Sequence, residues 1–146
     1  MKIKVRKLTD TAKLPTRGSS EAAGYDLYAD LRENESIAPH ETKMIGIGLS
    51  MELPSGYFGA VFARSGLASR ESLRPANCVG VIDSDYRGPF MVPLHNDGET
   101  ARTVEPGERI AQLIVMPYLP VTFEETEEEL SGTERGESGF GSTGKH

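Results

Sequence analysis

The segment IGIGLSMEL, residues 45–53, makes every second position apolar: Ile45, Ile47, Leu49, Met51 and Leu53 alternate with glycine, serine and glutamate. A period of two puts all five side chains on one face of an extended chain and does not match a helical stripe. The segment therefore predicts one half-buried strand. Lys2 to Val5, Phe58 to Phe62, Val79 to Ile82, Phe90 to Leu94 and Leu113 to Met116 also read as strands. Between them lie turn signals, Pro-Ser-Gly at 54, Arg-Gly-Pro at 87, Asn-Asp-Gly at 96 and Glu-Pro-Gly at 105. Short strands punctuated this way predict an all-β sandwich, jelly roll or barrel. The one helical signal spans a turn or two near Ser65 to Arg70. No internal repeat interrupts this pattern.

A chain of 146 residues is one domain by default and can bury roughly 70% of its unfolded surface. With 37% apolar and 7% aromatic residues and no Trp, the core is lean, which leaves room for burial against copies of the same chain. Cys78 is the only cysteine, so neither an internal disulfide nor a cysteine-based zinc site can form. The opening MKIKVRKLTD is basic but has no apolar stretch behind it, so no signal peptide is expected. No run approaches the ~18 apolar residues of a membrane span. These features predict a soluble intracellular protein and do not distinguish cytoplasm from nucleus.

The net charge of −6 disfavours non-specific binding to nucleic acid. Cations are unevenly distributed. Between Lys43 and Lys145 every one is an arginine: Arg64, Arg70, Arg74, Arg87, Arg102, Arg109 and Arg135. The planar guanidinium fork suits phosphate or carboxylate better than an ammonium does. Structural ion pairs would explain the same bias, and so would a small anionic ligand.

After Pro120 the character changes. EETEEEL, 124–130, is an acidic run, and RGESGFGSTGKH closes the chain. The expected division is a β domain over 1–124, then an acidic linker and mobile glycine-rich arm over 125–146. GFGSTGK, 139–145, fits the first seven positions of a phosphate-cradling Walker loop. The eighth position is His146 where Ser or Thr would bind magnesium, and no helix follows, so a strand–loop–helix nucleotide site is not expected. The local chemistry survives. Consecutive small residues let backbone N–H groups converge on an anion, Arg135 adds a charged fork, and Phe140 can stack on a flat ring. Composition alone describes the same stretch as a disordered terminus.

Four further stretches carry polar chemistry. In VIDSDYRG, 81–88, Asp83 and Asp85 would share a face of a regular strand. A calcium loop beginning at Asp83 fails, because Arg87 and Leu94 occupy its fifth and twelfth positions. Tyr86 and Gly88 suggest a hairpin tip instead. ARSGLA, 63–68, puts a cation, a hydroxyl and a glycine together at a strand end. GERIAQLI, 107–114, carries Arg109 and Gln112 among apolar positions, where polar groups need partners. AAGYDLYA, 22–29, sets Asp26 in an apolar stretch, where alone it reads as a turn-capping carboxylate.

In this order the stretches resemble the five motifs of the trimeric dUTP pyrophosphatases, the dUTPases: AGYDL, RSGLA, NCVGVIDSDYRG, GERIAQLI and RGESGFGSTG. The resemblance runs from about residue 22 to 144, and its third and fifth motifs are highly specific. It implies a jelly-roll β subunit, a homotrimer, and active sites each assembled from three chains with the C-terminal arm as a lid. It also implies dUTP as substrate, cleaved with Mg2+ to pyrophosphate and dUMP, which keeps dUTP low and supplies dTMP synthesis.

By that resemblance Asp83 orients and deprotonates the attacking water, and Arg109 braces it. Tyr86 packs beneath the deoxyribose and leaves no room for a 2′-hydroxyl. Asn77, with the backbone near Gly80, reads the uracil edge. Arg64, Ser65, Gly66 and Gln112 hold phosphates. Asp26 reaches magnesium through water. In the lid, Arg135, Gly141, Ser142 and Thr143 grip the outer phosphates while Phe140 covers the base. Glu137 is a departure, a negative charge set beside the polyphosphate. The related dCTP deaminases use a glutamate on the strand after the base-reading hairpin, and PFMVPLHND, 89–97, contains none. A non-catalytic trimeric scaffold would have no need for Asp83, Tyr86 and Phe140 together.

Overall fold

The computed structural model describes residues 1–139. Among these, the elements in chain order are β1 (Lys4–Lys7), β2 (Thr16–Arg17), β3 (Tyr25–Tyr28), β4 (Glu35–Ile37), β5 (Thr42–Gly46), β6 (Leu49–Glu52) and β7 (Tyr57–Phe62). They continue with helix α1 (Ser65–Glu71), β8 (Leu73–Pro75), β9 (Val79–Ile82), β10 (Met91–Asn96), β11 (Arg102–Val104) and β12 (Arg109–Pro117). The expected all-β jelly-roll-like subunit is what forms. Its largest sheet has the order β2-β3-β12-β7-β9; a second has the order β5-β10-β8; β1 pairs with β6, and β11 with β4. Every pairing is antiparallel.

The 45–53 alternation predicts the buried face correctly and the strand's continuity incorrectly. Ile45, Ile47, Leu49, Met51 and Leu53 are all buried. The extended chain nevertheless breaks into β5 and β6 at Gly48, whose φ is +65°, in the left-handed region. A Cβ there would lie 2.2 Å from Asp30 Oδ2. Asp30 is fixed in turn by the hydroxyls of Thr9 and Thr11, which donate to its carboxylate at 2.6 Å each. Conformation and close approach both require glycine at this corner, where the chain leaves one sheet for another.

The core lies between the sheets, with Ile37, Ile47, Leu94 and Val104 wholly buried. Cross-strand neighbours such as Ile45 and Val92 close it. Each such side chain contributes about 1.5–3 kcal/mol by leaving water. Asn96 is the buried polar residue of this core. Its amide donates to Ile37 O at 3.1 Å and Thr100 O at 2.8 Å, and its Oδ1 accepts from Gly98 N at 2.9 Å. A buried side chain with donors and acceptor all engaged specifies one arrangement of the loop after β10.

Strand β12 sits in the middle of the large sheet, paired to β3 on one side and β7 on the other. The register shifts between Arg109 and Ala111 against β3. That bulge lets the consecutive residues Ile110 and Ala111 both be buried while Arg109 stays exposed. After Pro117 the described chain, to residue 139, contains no helix or strand and is mostly exposed.

Candidate active site

Two depressions contain candidate side chains. The first, about 340 Å³, opens where β7 ends and α1 begins, and is lined by Gly18, Ala22, Ala23, Gly24, Asp26, Arg64, Ser65, Gly66, Gln112 and Ile114. Register builds it: Gln112 stands opposite Asp26 on one side of β12 and opposite Phe62 on the other. Asp26 thus belongs to strand β3 and caps no turn. Its Oδ1 accepts from Arg64 Nε at 2.9 Å, and its Oδ2 pairs with Arg109 Nη1 at 3.3 Å. Arg64 also donates through Nη1 to Arg109 O at 3.2 Å. One half-buried carboxylate therefore orients two guanidinium groups around the mouth of the depression.

Helix α1 starts without a side-chain cap at Arg64. Its first backbone N–H groups, from Ser65 onward, precede the first intrahelical bond, Ala68 N to Arg64 O at 3.0 Å. These donors, the Ser65 hydroxyl and the two arginines form a set of anion-binding groups. A Cβ on Gly66 would meet nothing within 4 Å, so the space above that backbone is open to a ligand. Gln112 donates to Ala63 O at 2.9 Å, and its Oε1 lies 2.2 Å from where a Cβ on Gly24 would stand.

The second depression, about 350 Å³, is lined by Met44, Asn77, Val81, Ile82, Asp83, Tyr86, Pro89, Phe90, Met91 and Pro93. Asn77 precedes β9 and Asp83 follows it. The expected hairpins do not form on either side: β9 pairs with β7 in the large sheet, while β8 and β10 belong to the other. Both connections are crossovers between sheets, and this places residues from the two ends of one short strand around one hollow. Asp83 heads a turn closed by Tyr86 N to Asp83 O at 3.2 Å. Arg87 Nη1 donates to Ser84 O at 2.6 Å and holds that turn. The Tyr86 ring packs near Phe90, centroids 6.1 Å apart, and its hydroxyl donates to Pro89 O at 3.0 Å. Gly88 lies beneath it, with no room for a Cβ, which would come within 2.4 Å of Tyr86 Oη. Beside Gly80 the Asn77 amide nitrogen would lie 3.4 Å from an added Cβ.

The structure thus divides the sequence-predicted residues between two sites. Asn77, Asp83 and Tyr86 gather in one hollow, with Gly80 beside Asn77 but outside its lining; Asp26, Arg64, Ser65, Gly66, Gln112 and Arg109 gather around the other. Arg109, expected beside Asp83, pairs within this chain with Asp26. Arg135 donates through Nε to Ser138 O at 2.8 Å. Phe140, Gly141, Ser142 and Thr143 lie outside the described residues. Sequence reasoning missed Gly24 and Gly88; in each case a glycine beside a candidate residue was the available signal. Of the two explanations open for the arginine bias, structural ion pairs account for part of it: Arg74 pairs with Asp97 and Arg102 with Glu71.

Residues 10–144 match the dUTPase family. A deoxyuridine 5'-triphosphate nucleotidohydrolase of Nautilia profundicola is 45% identical over 99% of this chain and 100% of its own length. That of Escherichia phage T5 is 44% identical over 94% of this chain and 96% of its own. The Staphylococcus bacteriophage 80alpha dUTPase, solved with dUpNHpp, superposes with a TM-score of 0.89 at 30% identity, covering 98% of both chains. With residues 10–144 matching the family and a relative 45% identical over 99% of its length, the chain belongs to the dUTPase family.

Proposed function

We propose that the protein hydrolyses dUTP to dUMP and pyrophosphate at sites shared between subunits of a homotrimer. The observation that carries this reading is the hollow in which Asp83, Tyr86 and Asn77 converge at the two ends of β9. Asp83 is exposed there, as a water-activating carboxylate must be. It accepts a proton from water; the water oxygen bonds to the α-phosphorus; the bond from that phosphorus to the α–β bridging oxygen breaks; and pyrophosphate leaves with the electron pair. Positioning and charge neutralisation supply most of the rate in such a displacement. Arg64, Ser65, Gln112 and the first amides of α1 supply the charge-binding side from the other hollow.

That one chain keeps the two halves in separate depressions supports assembly of the site from neighbouring subunits. So does the apolar surface beyond β12, where Leu119, Val121 and Phe123 are 85%, 67% and 93% exposed. Arg109 would reach Asp83 only across such an interface. Residues 135–146 act as the lid, with Phe140 on the uracil and Gly141, Ser142 and Thr143 on the phosphates, and 1–124 as the scaffold. Tyr86 serves as the sugar gate.

Magnesium fits as an ion bound by the triphosphate. Among the described residues no three His, Cys, Asp or Glu side chains converge. Both oxygens of Asp26 are already engaged by arginines, and each keeps a lone pair for a bridging water. When bound there, Mg2+ neutralises part of the triphosphate charge. The consequence for the cell is a low dUTP level and a supply of dUMP for dTMP synthesis.

The test is release of pyrophosphate from dUTP in the presence of Mg2+, with no ammonia from dCTP. Asp83→Asn lowers turnover by ~10²–10⁴, the worth of a general base, and spares binding of an imido dUTP analogue. Equal loss of binding and turnover would contradict the role given to Asp83.

A further inference from the structure

Arg74 lies in β8, outside both hollows, and none of the roles above uses it. Its guanidinium is fully committed. Nε and Nη2 donate to Asp97 Oδ2 and Oδ1 at 2.5 and 3.0 Å, a bidentate fork. The remaining arm, Nη1, turns into the connection between β8 and β9. There it donates to Pro75 O at 3.1 Å and Ala76 O at 3.5 Å, and lies 3.8 Å from Cys78 Sγ. The next residue after Ala76 is Asn77.

That connection needs external support. Cys78 has φ +60°, a left-handed conformation that costs a non-glycine residue about 1–2 kcal/mol. Its own backbone bonds are few: Ala76 N to Pro93 O at 2.7 Å, Cys78 N to Pro75 O at 3.1 Å and Val79 N to Asn77 O at 2.6 Å. Asp97, at the other end of the fork, is anchored. It follows the wholly buried Asn96, and its N–H donates to Ser72 O at 2.9 Å. An unbroken set of bonds therefore leads from the buried core at Asn96, through Asp97 and Arg74, to the carbonyls flanking the base-reading turn.

We propose that Arg74, clamped by Asp97, is a positioning residue that sets the turn Ala76–Cys78 and with it the uracil selectivity of the site. The inference rests on the reading of Asn77 as the residue facing the base. Lysine cannot replace the arginine, because an ammonium cannot hold both carboxylate oxygens in a plane and reach the turn carbonyls as well.

The experiment measures kcat and KM for dUTP, discrimination against dCTP, and the thermal midpoint, for Arg74→Ala, Arg74→Lys, Asp97→Asn, the double variant Arg74→Ala/Asp97→Asn, and Asn77→Ala. Arg74→Ala is expected to raise KM about tenfold, the size of one lost polar contact, with a smaller change in kcat and weaker discrimination against dCTP. The double variant should lose no more than Arg74→Ala alone, because the two residues act as one unit. Should Arg74→Ala fail to assemble, Arg74→Lys and Asp97→Asn give the same comparison. A lowered thermal midpoint with KM and discrimination unchanged overturns the proposal and leaves a stabilising ion pair only. If Asn77→Ala leaves KM and discrimination untouched, the assignment of Asn77 is what fails. If Asn77→Ala alters them and no Arg74 or Asp97 variant does, only the positioning role falls.

Discussion

At the scale of single residues, the site depends on side chains held by neighbours and on side chains that are absent. Gly24 leaves the volume that Gln112 occupies, since an added Cβ would approach Gln112 Oε1 to 2.2 Å. We predict that Gly24→Ala displaces Gln112 and lowers kcat/KM for dUTP about tenfold, as the loss of one polar contact does, readable by steady-state pyrophosphate release. Unchanged kinetics would remove Gln112 from the phosphate side. Asp97 gives a pH signature. The hydrogen bond from Arg74 holds its carboxyl below the usual 3.8, with burial opposing and the charges of Arg74, His95 and His40 assisting. A lowered native value means the stabilisation is fully present above the unfolded-state value and is lost as pH falls through the native one. Asp97→Asn should therefore be less stable than the parent at pH 7 by urea unfolding, with the gap closing below about pH 4. The side chains are 34% and 43% exposed, so solvent screening keeps the gap small. A gap independent of pH would assign the loss to shape instead of charge. Tyr86→Ala should let UTP compete with dUTP in the same assay, and retained sugar selectivity would remove Tyr86 as the gate.

At the scale of elements, alternation and motif order were legible and pairing was not. The strands expected near 2–5, 58–62, 79–82, 90–94 and 113–116 all form within a few residues of those bounds, as does the helix near 65–70. The short strands β2, β3, β4, β8 and β11 have two to four residues each, too few to show a period. Gly48 could not be recognised as a break, because its reason is the distant Asp30. The hairpins expected around β9 are crossovers, since which sheet a strand joins depends on partners remote in sequence. The polar stretches around Asp26, Arg64, Asp83, Arg109 and Gln112 stood out in the sequence and the resemblance gave them roles, whereas the contacts of Asp26 with Arg64 and Arg109 span 38 and 83 positions. Asn96 ties β10 to the loops around it, so Asn96→Leu should cost about 1–3 kcal/mol in urea unfolding by stranding buried partners. Residues 131–138 are exposed, so a chain stopped before Arg135 should keep the parent's circular dichroism and thermal midpoint and lose most activity. Unfolding on truncation would contradict the lid.

At the scale of the whole molecule, the candidate groups lie in two separate hollows, which the proposed reaction treats as two half-sites. One hollow holds the carboxylate, the aromatic ring and the amide; the other holds the arginines, the hydroxyl and the helix start. Neither has both a water-activating group and the charge to hold a triphosphate. Copies related by a closed rotation can place one half against the other, and three such contacts produce three equivalent sites. Exposed apolar residues beyond β12, Leu119, Val121 and Phe123 among them, are surface that a lone chain leaves in water. Mixed assembly tests this most directly. Asp83→Asn disables one half and Arg64→Ala the other. The two variants would be unfolded together, refolded as mixed oligomers, and assayed for pyrophosphate release from dUTP. Sites built between chains predict that the mixture recovers activity well above either variant alone, because some interfaces join two intact halves. A mixture no more active than the average of its two components would show that each chain works alone and would contradict the shared site.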